Sequence, residues 1–132
     1  MLIVDDDPFN LVALSILLKQ LHLSCEKASN GLEAYEKVVN EFEQHSVNSL
    51  LILQGYKLIF MDYQMPVMDG CESSAKILRF LKQNGQKSPH IVACTAFTSM
   101  QDQRKCFSSG MCDFISKPLN QSIVKKICEM YL

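Results

Sequence analysis

Residues 58–70 read LIFMDYQMPVMDG, and this stretch decides the fold of the chain. Four apolar residues run directly into Asp62, and a turn rich in Met, Pro and Gly follows. A short, wholly apolar run bounded by turn residues is typical of a strand that is buried on both faces. Asp62 is therefore expected at the carboxyl end of a central strand, where open α/β sheets place their ligand crevice.

The composition indicates one ordinary globular domain. The chain has 132 residues, of which 48% are hydrophobic and 20% are charged, and this length suits a single core. A formal net charge of -1 argues against a nucleic-acid-binding surface. No apolar run approaches the roughly 20 residues that a membrane helix needs, and the N-terminus lacks the pattern of a signal peptide. The six cysteines show no paired short spacing, so we expect reduced thiols in a cytoplasmic protein.

Strands and helices alternate along the rest of the chain. Beside the strand before Asp62, apolar strands are expected at Leu2–Val4, Leu23–Ala28, His90–Cys94 and Asp113–Ser116. Helices are expected at about 8–21, 32–42, 70–83, 99–109 and 120–131. Five strand–helix repeats imply a parallel sheet with helices on both faces. The helical stripes are expected to bury Leu11, Leu14, Leu18 and Leu21; Leu32, Tyr35, Val38, Val39 and Phe42; Ala75, Ile77, Leu78 and Leu81; and Ile123, Ile127 and Met130.

Residues 44–55 do not fit this alternation. The segment is longer than the usual connection between a helix and a strand, which has about 2–6 residues. Its apolar run Leu50–Leu53 is compatible with an extra strand, a helix extension or a loop against the sheet, and periodicity does not decide among them. We treat 44–55 as an insertion between the second helix and the third strand of a single domain that covers residues 1–132.

Polar side chains stand at the carboxyl ends of four predicted strands. Asp5 and Asp6 follow the first strand, and Asp62 ends the third. Thr95 ends the fourth strand, and Lys117 comes directly after the fifth. Because the carboxyl ends of parallel strands meet at one edge of a sheet, we expect these side chains to converge.

This set of side chains suits phosphoryl transfer. Crowded carboxylates repel one another, and Mg²⁺ relieves the repulsion because it prefers oxygen ligands. A hydroxyl and an ammonium group beside the metal stabilise phosphoryl oxygens, and a carboxylate is a known covalent acceptor. Asp7 and Asp69 are interpreted more simply as helix caps. Motifs of zinc proteases and P-loop nucleotide hydrolases do not occur in the sequence.

The motifs resemble those of receiver domains of two-component response regulators, of the kind attached to hybrid histidine kinases. The matching stretches are residues 3–10 (IVDDDPFN), 61–70 (MDYQMPVMDG), 95–96 (TA) and 110–119 (GMCDFISKPL). The resemblance covers nearly the whole chain. It implies a flavodoxin-like, doubly wound (βα)5 sandwich whose five-stranded parallel sheet has the order 2-1-3-4-5. Because the first strand begins almost at residue 1, we expect the domain to belong to a longer protein.

The resemblance also implies roles for the acidic residues. Asp62 is then the phosphoacceptor, which takes a phosphoryl group from the phosphohistidine of a histidine kinase or of a histidine phosphotransfer protein. Asp5 and Asp6 are the acidic pair that holds Mg²⁺, Asp6 directly and Asp5 through water. Asp62 is the third carboxylate of this metal site, and the main-chain carbonyl of Gln64 completes the protein's share of the coordination. On this interpretation the domain is a signalling module that assists its own phosphorylation, and not an enzyme. It contacts neither nucleic acid nor membrane directly, although the parent protein is compatible with a membrane anchor.

The same resemblance implies a conformational switch. Thr95 bonds the new phosphoryl group, Lys117 pairs with it, and Phe114 moves into the space that Thr95 leaves. The bond between Lys117 and Pro118 is expected to be cis. Gln64 and Phe97 flank the pocket and are expected to influence the lifetime of the phosphoryl group.

Two alternatives stay open at this point. Residues 5–7 contain a DxD pattern, as in haloacid-dehalogenase-like phosphatases, whose nucleophile would be Asp5. Pro8 and Phe9 follow it here, where that family usually has Gly-Thr. The other alternative is a pseudo-receiver, a binding module that keeps the fold without the chemistry. One residue departs from the family's pattern. Kinase-attached receivers commonly carry Asn at the position of Asp7, so Asp7 adds a negative charge near the site.

Overall fold

The computed structural model describes residues 1–46, 55–96 and 99–132. Strands and helices alternate through these residues as β1 (Leu2–Val4), α1 (Pro8–Gln20), β2 (Glu26–Ala28), α2 (Gly31–Ser46), β3 (Leu58–Asp62), α3 (Gly70–Gln83), β4 (His90–Thr95), α4 (Met100–Ser108), β5 (Asp113–Ser116) and α5 (Gln121–Tyr131). All paired strands are parallel, and the sheet has the order β2-β1-β3-β4-β5. The predicted flavodoxin-like (βα)5 fold and its strand order are confirmed.

Strand β3 is the centre of the sheet and is buried along its whole length. Its side chains alternate between two apolar clusters, because successive residues of a strand face opposite sides. Ile59 and Met61 join the cluster that α2, α3 and α4 cover, whereas Leu58 and Phe60 join the cluster under α1 and α5. The apolar run before Asp62 thus forms the middle of both cores, and Asp62 comes where the run ends.

Of the sixteen side chains in the predicted helical stripes, seven are buried, seven are half-buried and two are exposed. Leu32, in the first turn of α2, is exposed, and the burial in this helix falls on Ala34 and Val38 instead. Met130 is 55% exposed, although it was expected in the core. The buried positions of α5 are Val124, Ile127 and Cys128, whose 3- and 4-residue spacing defines a stripe that leaves Met130 on the solvent side.

Helix α2 takes up the first part of the predicted insertion. The helix continues to Ser46, so residues 44–46 belong to it, and Gly55 leads towards β3. Residues 47–54, and with them the apolar run Leu50–Leu53, lie outside the described residues. Among the helices of residues 1–46, 55–96 and 99–132, none is long and apolar enough to cross a membrane.

Two acidic residues next to the candidate site are helix caps, as the sequence predicts. The carboxylate of Asp7 accepts a hydrogen bond of 2.9 Å from the main-chain N–H of Phe9 and so caps α1, which begins with a proline. The carboxylate of Asp69 accepts one of 2.8 Å from the N–H of Glu72 and caps α3. These caps fix where the loops after β1 and β3 turn into helices.

Gly70 lets the start of α3 lie directly against the end of β3. Its N–H donates to the carbonyl oxygen of Tyr63 at 3.0 Å. A Cβ atom at this position would lie 2.1 Å from the carbonyl oxygen of Asp62, far inside van der Waals contact. The close approach therefore holds the loop that follows Asp62 in place.

We expect Gly70→Ala to destabilise the domain by about 2–3 kcal/mol, because the methyl group must push the start of α3 away from β3. Gly55→Ala is the matched control, since a Cβ there meets no atom of the described residues within 4 Å. The control is expected to stay within about 0.5 kcal/mol of the wild type. Urea unfolding measures both variants, and equal stability of the two would contradict this account of Gly70.

Candidate functional site

The ammonium group of Lys117 bridges the carboxylates of Asp5 and Asp62. Its Nζ atom donates to Oδ2 of Asp5 at 2.7 Å and to Oδ1 of Asp62 at 3.2 Å. The two aspartates are only 7% and 6% exposed. The three residues come from the ends of β1, β3 and β5, so the convergence predicted from the sequence is confirmed for them.

Asp5 is held by donors on three sides. Besides Lys117, the main-chain N–H of Asp7 donates to Asp5 Oδ1 at 2.9 Å. The side-chain amide of Asn10 lies 3.4 Å from the same oxygen. Asn10 was not identified as a site residue from the sequence, although it lies within the quoted motif of residues 3–10 and one helical turn after the acids. Both oxygens of Asp5 thus have structural partners.

Asp6 completes an acidic cluster with Asp5 and Asp62. One carboxylate oxygen from each residue lies within 4.8 Å of the other two, and Asp6 is exposed to solvent. Octahedral Mg²⁺ binds oxygen at about 2.0–2.1 Å, which places its ligand oxygens about 3–4 Å apart. An all-oxygen set whose members lie within 4.8 Å of one another, open to water on the Asp6 side, needs only small side-chain movements to hold such an ion. In the described part of the chain, it is the one cluster of three or more acidic, His or Cys ligands at such a spacing.

The pocket carries an excess of negative charge, which favours the binding of a cation. Burial, and next the negative charge of Asp5, raise the pKa of Asp62 from 3.8 to about 7, although Lys117 acts in the opposite direction. Burial alone would lower the pKa of Lys117, but its hydrogen bond to Asp5 and the charge of Asp62 outweigh burial and raise it. One ammonium group therefore faces more negative charge than it balances.

The other predicted site residues lie around this cluster. Thr95 is buried at the end of β4, and its carbonyl oxygen accepts a hydrogen bond of 2.9 Å from the N–H of Lys117. Phe114 lies in β5 and packs, partly buried, against the cluster under α2, α3 and α4. The peptide bond between Lys117 and Pro118 is cis, as predicted.

Two flanking residues have a different status. Gln64 is exposed in the loop after β3, two residues beyond Asp62, and the role of its carbonyl stays a prediction. Phe97 lies outside the described residues. Val67 lies in the same loop as Gln64 and was not singled out from the sequence. Its side chain is exposed, and its φ is 72°. This is a strained backbone conformation for a β-branched residue, and the sequence carries no signal of it.

Comparisons with known proteins agree with this geometry. A family model described as the response regulator receiver domain matches residues 1–129. The chain belongs to this family. A receiver domain is also among its structural neighbours. That of the histidine kinase CKI1 from Arabidopsis thaliana, complexed with Mg²⁺, superposes with a TM-score of 0.87 at 30% identity, covering 98% of this chain and 89% of that one.

Two further relatives link this receiver domain to phosphorelay proteins. Hybrid signal transduction histidine kinase L of Dictyostelium discoideum is 37% identical over 130 residues, which are 98% of this chain and 7% of the relative. The osmolarity two-component system protein SSK1 of Saccharomyces cerevisiae is 36% identical over 152 residues, 97% of this chain and 20% of the relative. The receiver domain of Ssk1, in a co-crystal structure with the histidine phosphotransfer protein Ypd1, has a TM-score of 0.79 at 35% identity and covers 99% of this chain and 90% of that one. This receiver domain thus spans a small part of the length of these curated relatives.

The raised pKa of Asp62 predicts how stability depends on pH. Because the folded-state pKa of about 7 lies above the ordinary value of 3.8, the metal-free domain loses stability as pH rises from about 4 through 7. Asp62→Asn removes the destabilisation that ionised Asp62 causes, so we expect the variant to be more stable than the wild type by about 1–3 kcal/mol at about pH 8. The gain should vanish near about pH 4, where the wild-type carboxyl group is neutral.

Urea unfolding in the presence of EDTA measures this difference at both pH values. Asp69→Asn is the matched control, because asparagine caps a helix as well as aspartate does and this cap should persist. The control is expected to change little at either pH. An Asp62→Asn variant that is less stable than the wild type at about pH 8 would show that the charge of Asp62 does not destabilise the folded domain.

Proposed function

We propose that this receiver domain accepts a phosphoryl group on Asp62 from the phosphohistidine of a partner protein. The observation that carries the proposal is the bridge that Lys117 makes between Asp62 and Asp5, next to the exposed carboxylate of Asp6. Asp6 and Asp62, with the carbonyl of Gln64, would hold Mg²⁺ directly, and Asp5 would hold it through a water molecule. When bound, this ion supplies positive charge that offsets the crowded carboxylates and the phosphoryl oxygens.

The chain's own residues would act as follows. A carboxylate oxygen of Asp62 attacks phosphorus, a P–O bond forms, and the P–N bond to the imidazole breaks with its electron pair left on nitrogen. Lys117 already lies within hydrogen-bond distance of Asp62, so its ammonium group can donate to the phosphoryl oxygens as negative charge develops on them. Thr95, buried at the end of the neighbouring strand β4, would donate a hydrogen bond from its hydroxyl group to a phosphoryl oxygen. The product is an acyl phosphate, and the partner's histidine is regenerated.

Phosphorylation would then act as a switch. The phosphorylated side chain carries about −1.5 to −2 charges, in place of the single charge of the carboxylate, at a buried edge of the sheet. We infer that Thr95 moves towards it, that Phe114 takes the vacated space, and that the face formed by β4, β5 and their helices repacks. A difference of a few kcal/mol between the two arrangements is enough for such a population shift. Because residue 114 is phenylalanine, its ring can change rotamer without a hydroxyl group that needs a partner.

A row of exposed apolar side chains on α1 suits a helical partner. Phe9 is 84% exposed, and Val12 and Ile16 follow it at spacings of three and four residues, which places them on one helical face. The row begins next to the acidic cluster, where a donor histidine must arrive. A histidine kinase or a histidine phosphotransfer protein is the partner that we propose for this face. The location that we propose is the cytoplasm, because all six cysteines are free thiols.

The geometry favours Asp62 over Asp5 as the acceptor. Both oxygens of Asp5 already accept hydrogen bonds, from Lys117 on one side and from Asp7 and Asn10 on the other. A phosphatase that used Asp5 as its nucleophile would have to break these contacts. The pseudo-receiver alternative is less favoured, because it includes no ligand that would offset the unfavourable free energy of crowding these partly compensated carboxylates.

We expect acetyl phosphate and Mg²⁺ to label the domain at Asp62, with loss of acetate, and mass spectrometry of peptides locates the label. Asp62→Asn should abolish labelling, because an amide is not a nucleophile for this reaction. Asp69→Asn should be labelled like the wild type, since it changes only a helix cap. EDTA should suppress labelling of the wild type.

Two outcomes would overturn the proposal. Labelling that persists in Asp62→Asn would identify a different acceptor. Steady release of phosphate from a phosphomonoester that is lost with Asp5→Asn but retained with Asp62→Asn would establish the phosphatase alternative.

A further inference from the structure

Tyr63 is tied to the phosphoacceptor strand through its main chain. It directly follows Asp62, and its N–H donates to the carbonyl oxygen of Cys94 in β4 at 3.3 Å. Its own carbonyl oxygen accepts a hydrogen bond of 3.0 Å from the N–H of Gly70 at the start of α3. The backbone of Tyr63 is therefore held on both sides and follows any movement of the end of β3.

The side chain of Tyr63 reaches the first turn of α4. It is only 6% exposed, and its hydroxyl group donates to Oδ1 of Asp102 at 3.0 Å. The hydroxyl group of Ser99 donates to the other oxygen of the same carboxylate. The N–H of Asp102 in turn donates to Ser99 Oγ at 3.1 Å, so Ser99 is the N-cap of α4. One carboxylate thus joins the cap of α4 to the residue after Asp62.

The rest of α4 has little buried apolar surface with which to hold its position. Cys106 is its one buried residue, and both Met100 and Phe107 are exposed. Lys105, one turn after Asp102, places its ammonium group 5.9 Å from the centre of the Tyr63 ring, within the range of a cation–π contact. Two polar contacts of α4 therefore converge on the same tyrosine.

We propose that Tyr63 is a positioning residue that couples the state of Asp62 to the position of α4. Its hydrogen bond to Asp102 stabilises the arrangement of α4 seen here, which is the resting one. Binding of a phosphoryl group favours a repacked face around β4 and β5, and this bond opposes the repacking. By linkage, removing the bond must make the phosphorylated arrangement easier to reach by the same factor. The inference rests on the proposed phosphorylation of Asp62.

Tyr63→Phe tests this coupling, because it removes the hydroxyl group and keeps the buried ring. A net hydrogen bond of ordinary strength corresponds to about a three- to tenfold change in an equilibrium. We expect hydrogen exchange of the α4 amides to accelerate by about this factor in the unphosphorylated domain, with no change in α1. We also expect the apparent affinity for beryllofluoride, in the presence of Mg²⁺, to increase about three- to tenfold, while the affinity for Mg²⁺ alone stays within about twofold.

Tyr56→Phe is the matched control. Tyr56 also donates its hydroxyl group to a carboxylate, Oε2 of Glu26 at 2.6 Å, but this bond does not involve α4 or the acidic cluster. The control is expected to bind beryllofluoride like the wild type. A merely structural role of Tyr63 would lower stability without raising beryllofluoride affinity, and that result would overturn the proposal.

Asp102→Ala tests the same bond from α4. It removes the acceptor, while Ser99 keeps its bond to the main-chain N–H of residue 102. We expect each single variant to change beryllofluoride affinity similarly, and the double variant with Tyr63→Phe to add nothing further. Fully additive effects would overturn the coupling. Failure of the wild type to bind beryllofluoride would instead contradict the proposed function, so the two proposals fail by different results.

Discussion

The site depends on one ammonium group that lies between two buried carboxylates. Lys117 holds Asp5 and Asp62 together at 2.7 and 3.2 Å, although the two carboxylates repel each other and burial strengthens this repulsion. The compensation is partial, since Asp6 adds a third negative charge beside the pair and the pKa of Asp62 is raised to about 7. The protein itself does not neutralise this excess of negative charge, and an acidic pocket of this kind favours a divalent cation.

The sheet makes this arrangement possible by separating apolar and polar roles along each strand. The body of β3 packs into both cores, so its position is set by burial and not by the charges at its end. The loop after the strand is then fixed by the close approach of Gly70 and by the cap at Asp69. Burial thus supplies the rigidity, and the strand ends can carry charges whose mutual interactions are unfavourable. A switch needs this combination, because the strained groups must be held in place until a ligand relieves them.

Much of this organisation could be predicted from the sequence because it follows from short-range patterns. The apolar run that ends at Asp62, the five alternations of strand and helix, and the caps at Asp7 and Asp69 are all local signals, and the structure confirms them. The convergence of Asp5, Asp62 and Lys117 followed from parallel topology alone. Roles in phosphoryl transfer rest on the family resemblance and on chemistry, and they stay predictions.

Other features depend on contacts that no local pattern encodes. Met130 fits an apolar stripe by its spacing, yet the orientation of α5 on the sheet leaves it exposed. The bond from Tyr63 to Asp102 joins residues 39 positions apart, and its partner is set by where α4 lies against α3 and β5. The positive φ of Val67 likewise occurs in the loop between β3 and α3, where no sequence pattern indicates it. These are features of packing, and three-dimensional geometry was needed to find them.

A titration with Mg²⁺, followed by ¹³C NMR of the aspartate side-chain carboxyl groups, tests the central claim most directly. If Asp5, Asp6 and Asp62 form one pocket that is short of positive charge, their three resonances will shift together with a single dissociation constant. The resonances of the capping residues Asp7 and Asp69 will move far less. A titration in which Asp62 does not respond with Asp5 and Asp6 would contradict the account.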